Sequence, residues 1–95
     1  MSPARKAGAL VVLSGGEPAV YLERGGHTAL TWTDDPVVLG ASARELAGLV
    51  HTGRLAALTV ERCDGAATLT GEHPFAAALL DAGFRPTPKG LRLRR

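Results

Sequence analysis

Apolar positions fall in short runs broken by paired glycines near the start of the chain and recur with helical spacing further on. Leu10-Val11-Val12-Leu13 reads as a strand, with Ser14-Gly15-Gly16-Glu17 as a turn. Ala19 to Arg24 and His27 to Trp32 form two further strands folded back on Gly25-Gly26, since glycine tolerates the positive φ angles of a two-residue hairpin. Pro18, which has no N–H to give a ladder, fits only at a strand start or edge. If both glycine pairs make two-residue turns, Val11, Leu13, Val20, Leu22 and Ala29 share one face. Leu10, Val12, Ala19, Tyr21, Leu30 and Trp32 then share the other.

Asp35 before Pro36 is a helix-start signal, and Leu39, Ala43, Leu46 and Val50 recur at spacings of three and four. The pattern predicts a helix over 36–52 ended by Gly53. A weak joint is expected near Gly40, because Ser42 and Glu45 have the spacing of a second capping box. Leu55 to Arg62 reads as one strand with Leu58 and Val60 on the same side, followed by the turn pair Asp64-Gly65 and a short return strand over 66–70. His73-Pro74 opens a second helix through Ala82, with Phe75, Leu79 and Leu80 as inward candidates and Gly83 as its stop. Pro88-Lys89-Gly90 is a turn into a last strand, Leu91-Arg92-Leu93-Arg94, which alternates apolar and cationic. This order predicts an α+β fold: a mainly antiparallel sheet with an N-terminal three-stranded meander and two helices. Residues 1–7 read as a flexible basic terminus and 8–95 as a single domain.

Ninety-five residues suffice for one modest core, here drawn from Leu, Val and Ala. The net charge of +2 conceals a division. Arg5, Lys6, Arg85, Lys89, Arg92, Arg94 and Arg95 sit at the ends, while residues 7–81 hold four arginines against all nine acids. Basic ends can be solvated termini or a phosphate-facing edge. No apolar run approaches the roughly 18 residues of a membrane span, and a lone cysteine allows no internal disulfide, so a cytoplasmic setting is expected.

Candidate chemistry is sparse. The glycine pairs neither open helices nor precede a Lys-Ser/Thr pair, so they make poor phosphate cradles. His27, His51 and His73 lie on different elements without zinc-ligand spacing. A hydrolase built from His27 or His73 with Asp34 or Asp35 is the weakest reading, because capping the helix at Pro36 accounts for the aspartates. Asp64 beside Cys63 raises the thiol pKa and argues against a nucleophile. We expect no catalytic residue, metal or cofactor in this domain. The suggestive group is Trp32 with Arg85, Lys89, Arg92 and Arg94: the arginines and lysine could grip phosphates, and a base stacked on Trp32 would be worth roughly 1–3 kcal/mol. The alternative is that Tyr21 and Trp32 are both core.

Four phrases in order carry a resemblance. They are Ala19-Val20-Tyr21-Leu22-Glu23-Arg24-Gly25-Gly26, Leu30-Thr31-Trp32-Thr33-Asp34-Asp35-Pro36, Leu58-Thr59-Val60-Glu61-Arg62 with Asp64-Gly65, and the closing run from Ala82 to Arg94. Together they resemble the extreme C-terminus of the actinobacterial large helicase-related (Lhr) proteins of helicase superfamily 2. The resemblance implies an ATP-dependent 3′–5′ DNA helicase linked to DNA repair. In that family an N-terminal motor is followed by winged-helix modules related to a DNA glycosylase family. None of the motor motifs is present here. The implied role is a non-catalytic accessory domain that supports assembly of the C-terminal region or contacts DNA, with single-stranded DNA, the rest of that region and a second copy of the chain as candidate partners. A protein-interaction or oligomerisation module without nucleic-acid contact is the alternative.

Overall fold

In the computed structural model, residues 2–6, 9–23 and 27–94 are described. The strands are β1 (Ser2–Lys6), β2 (Ala9–Ser14), β3 (Glu17–Leu22) and β4 (Thr28–Thr31), followed by helix α1 (Pro36–His51). Then come β5 (Ala57–Val60), β6 (Arg62–Cys63), β7 (Ala66–Ala67) and a 3-10 turn over Thr68–Thr70. Helix α2 (Pro74–Asp81), β8 (Arg85–Pro86) and β9 (Leu91–Arg94) complete the chain. The strands form two sheets, β1-β2-β3-β4-β6-β7 and β5-β9-β8, antiparallel throughout except where β4 runs parallel to β6. This is the α+β fold with the meander β2-β3-β4 that the hydrophobic pattern calls for. The Gly25-Gly26 turn, Arg24 and Arg95 lie outside the described residues.

Four local features depart from the sequence pattern. First, Ser2–Lys6 pairs along β2 as a strand, where the apolar pattern gives no strand signal. Second, β3 carries a bulge: Val12 faces Val20, but the next residue, Leu13, faces Pro18, so Ala19 is the extra residue. The slip inverts β2 relative to the register drawn from two plain hairpins. Leu10, Val12, Val20, Leu22 and Ala29 are buried, and Val11, Tyr21 and Leu30 lie across from one another on the outer face.

Third, α1 runs unbroken through Gly40. The Ser42 hydroxyl donates to the Val38 carbonyl one turn back instead of capping a new helix. The one cap is Asp35, whose Oδ1 accepts the Val37 amide at 2.9 Å with Pro36 following. Its stripe of Leu39, Ala43, Leu46 and Val50 is fully buried. On α2, Phe75 and Leu79 are buried as expected, but Leu80 is 41% exposed and Ala76 and Ala78 take the inward positions.

Fourth, the single strand expected over 55–62 is divided between the sheets. Val60 ends β5 in the small sheet and Arg62 begins β6 in the large one. At the corner the amides of Glu61 and Arg62 both donate to the His27 carbonyl, and Gly90 packs against the backbone of Val60 and Glu61. This corner folds the small sheet over the core, so Leu58, Val60, Leu91 and Leu93 join Phe75, Phe84 and the α1 stripe in one cluster. Helix α1 lies against β2, β3, β9 and α2. No described helix is long and apolar enough to cross a membrane.

Candidate nucleic-acid interface

Because Leu91 and Leu93 are buried in the core, strand periodicity sends Arg92 and Arg94 outward. In the small sheet Arg92 lies directly opposite Arg85 on one side and Thr59 on the other, and Arg94 lies opposite Ala57. Residues opposite one another share a face, so Arg85, Arg92 and Arg94 project together beside Thr59. Arg85, Arg92, Arg94 and Thr87 line one surface hollow. Two residues of strand separate Arg92 from Arg94, about 6.8 Å. Among the described residues, no carboxylate lies within 4.0 Å of these guanidinium groups or of Lys89. Lys89 sits exposed in the turn between β8 and β9, which Thr87 closes by accepting the Lys89 and Gly90 amides. The face thus carries three cations free to meet an external anion.

Trp32 is not part of that face. It follows β4 in the large sheet, with its amide donating to the Ala19 carbonyl at 3.0 Å. Its indole is 57% exposed and meets Tyr21 edge-on, ring centres 6.3 Å apart and planes at 75°. Its surroundings are acidic: Asp34 and Asp64 share its hollow, with His73 and Pro74, and no described Lys or Arg lines it. The structure therefore assembles Arg85, Arg92 and Arg94 as the sequence pattern suggests but separates Trp32 from them.

A second cluster brings His73 to the neighbouring pair Cys63-Asp64, a link that no spacing in the chain suggests. Cys63, Asp64 and His73 bring their ligand atoms within 4.8 Å of one another. The His73 ring caps α2: its Nδ1 accepts the Phe75 amide at 3.0 Å. An N–H donor at that distance requires Nδ1 to be unprotonated, so in the neutral ring Nε2 carries the hydrogen. Nε2 then donates to Asp64 Oδ2 at 2.8 Å, with the Cys63 sulfur 3.7 Å away. Asp64 also accepts the Thr31 amide at 2.9 Å and the Thr31 hydroxyl at 2.5 Å. Burial pushes its carboxyl up, but the hydrogen bonds from Thr31 and His73 and the attraction of His73 outweigh that and hold it below the usual carboxylate range.

Burial, helped by the Asp64 charge, pushes the Cys63 thiol up to about 12. A nucleophilic thiol needs a base to take its proton. Here the nearest ring nitrogen already carries one and the other is occupied by the helix cap. Metal coordination at Nε2 would move the hydrogen to Nδ1 and break that cap. The cluster is a clasp, tying β4, the β6–β7 turn and the start of α2 together. Of the other acid/base candidates, His27 pairs with Glu61 at 2.5 Å and Asp35 caps α1, while Asp34 is exposed beside Trp32.

What these elements define is a small α+β module with a cationic sheet face on one side and an aromatic–acidic hollow on another. No protein-family profile matches the chain. It is 44% identical over 97% of its length to the Lhr helicase/probable uracil glycosylase of Mycolicibacterium smegmatis. It is 35% identical over 94% of its length to the Lhr helicase/uracil glycosylase of Escherichia coli. The chain is thus homologous to a segment of the Lhr proteins, as the phrases in its sequence imply, and it spans 6% of the length of each of these relatives.

Proposed function

We propose that this chain is a non-catalytic accessory module from the C-terminal end of an ATP-dependent 3′–5′ DNA helicase acting in DNA repair, and that it contacts DNA phosphates through Arg85, Arg92 and Arg94. The observation that carries the reading is the convergence of three guanidinium groups on one sheet face with no carboxylate partner among the described residues. A cation already paired to an acid gains little from a phosphate; these three have that attraction unspent. The relatives, helicase/uracil glycosylase proteins by name, support a nucleic-acid setting, which on this reading is cytoplasmic. No described acid lines the hollow of Arg85, Arg92 and Arg94, whereas Asp34 and Asp64 lie around Trp32.

The test is fluorescence anisotropy with a labelled oligo-dT across a salt series. For a single strand the slope of log K against log salt is about −0.7 per phosphate neutralised, so the double variant Arg92→Ala/Arg94→Ala should flatten it by about 1.4. An unchanged slope, or no binding by the wild type, would reject the reading. That result would leave the module as an assembly piece for its neighbours or a second copy, a role to which exposed Leu30 (39%) and Trp32 lend some surface.

A further inference from the structure

The hollow at Trp32 has the opposite chemistry to the arginine face. One wall is the exposed indole, braced from the side by the Tyr21 ring. Asp34, Asp64, His73 and Pro74 line the same hollow. Asp64 is spoken for by Thr31 and His73. Asp34 is exposed, and among the described residues no hydrogen bond or ion pair engages its carboxylate; the cap of α1 is its neighbour, Asp35. An aromatic face beside a carboxylate with no partner, and no Lys or Arg in the lining, among the described residues repels a phosphodiester and attracts a cation.

We propose that this hollow receives an arginine side chain from another protein segment. The planar guanidinium would lie over the indole face while its N–H fork meets the Asp34 carboxylate. Arginine satisfies both walls at once, because its charge is spread over a flat group with paired donors; an ammonium offers a point charge with no plane to stack. Trp and Arg are also the residue types on which binding energy at protein interfaces concentrates. The module would then have two distinct surfaces, a cationic one for nucleic acid and this one for a basic stretch of protein. The proposal stands independently of the phosphate reading.

Trp32 is the sole tryptophan of the chain, so its emission reports the hollow directly. The intact chain is titrated with acetyl-Gly-Arg-Gly-amide, followed by tryptophan fluorescence and by amide and indole N–H shifts in a ¹H–¹⁵N spectrum. The controls are the same peptide with neutral citrulline in place of arginine, and oligo-dT. The arginine peptide should change the emission saturably and move the Trp32 indole, Thr33 and Asp34 signals, while citrulline does so several-fold more weakly. Asp34→Asn, which leaves the helix cap intact, should weaken the arginine peptide by about three- to fivefold, the size of one exposed charge contact. Equal binding of citrulline, an unchanged affinity in Asp34→Asn, or no saturable response up to about 50 mM peptide, beyond the range of a specific weak contact, would overturn the proposal. Movement of the indole signal by oligo-dT and not by the arginine peptide would overturn it in favour of base stacking.

Discussion

Asp64→Asn is the substitution that most sharply tests the clasp. The carboxylate accepts three hydrogen bonds, two from Thr31 and one from His73. An Asn in the same place can still accept the Thr31 amide, and the Thr31 hydroxyl can turn to accept from its NH₂, but that NH₂ also meets the His73 N–H, setting donor against donor, and the charge is gone. Asn also tolerates the left-handed backbone that Asp64 adopts, φ 52°, so strain does not confuse the comparison. Bonds to a charged group are worth about 1.5–3 kcal/mol each when dry. The Asp64 side chain is 35% exposed, however, and water replaces part of what is lost. We therefore expect a net cost of about 1–2 kcal/mol, or a Tm lower by roughly 5–15 °C for a domain of this size.

The pH dependence of that cost has a definite sign. Asp64 titrates below its unfolded value in the folded chain, so its contribution is complete above about pH 4 and is lost as pH falls through the lower folded pKa. Urea unfolding of wild type and variant at pH 7, 5 and 3 measures the gap. The gap should be full at the first two and shrink at the third, because protonation of Asp64 removes the charge on which its bonds to Thr31 and His73 rest, as Asn does. A gap of equal size at all three, or none at neutral pH, would refute the argument that an ionised carboxylate holds these elements together.

Three further outcomes follow from the same structure. Gly90→Ala should destabilise by about 3 kcal/mol or more, since a Cβ there would sit 2.5 Å from the Val60 carbonyl oxygen and 2.7 Å from Glu61 Cα, both backbone atoms; urea unfolding checks it. Thr68→Val keeps the shape of a fully buried residue but removes a hydroxyl that donates to Val60 O at 2.6 Å, with a loss of about 1–3 kcal/mol in the same assay. Cys63 should react with iodoacetamide at pH 8 only after unfolding, because it is buried and its thiol is held protonated; rapid labelling of the native chain would contradict that placement.

Much of the architecture is legible in the sequence, because strand alternation and helical spacing report directly on burial. Leu91-Arg92-Leu93-Arg94 and the α1 stripe read without ambiguity, and both fold as read. Features set by backbone contacts between distant segments are hidden. The bulge at Ala19 inverts one strand's faces without changing its apolar content. The corner at Glu61 splits what reads as one strand, since its cause is the His27 carbonyl and Gly90, each about thirty residues away. Charge layout singled out Arg85, Arg92 and Arg94, and they lie together because β8 and β9 are joined by a short turn. It could not place Trp32, whose neighbours Asp64 and His73 arrive only through the tertiary fold. Nor did spacing announce the clasp, because Cys63 and His73 stand on separate elements ten residues apart.

The central claim, that phosphates meet this module at the outer face of β5-β9-β8, is most directly tested by ¹H–¹⁵N spectra of the chain with and without oligo-dT. The amides of Thr59, Arg85, Arg92 and Arg94 and their guanidinium Nε–H signals should move together on titration and return as salt is raised, with the Trp32 indole unmoved. Shifts centred on Trp32, or spread evenly over both sheets, would contradict it.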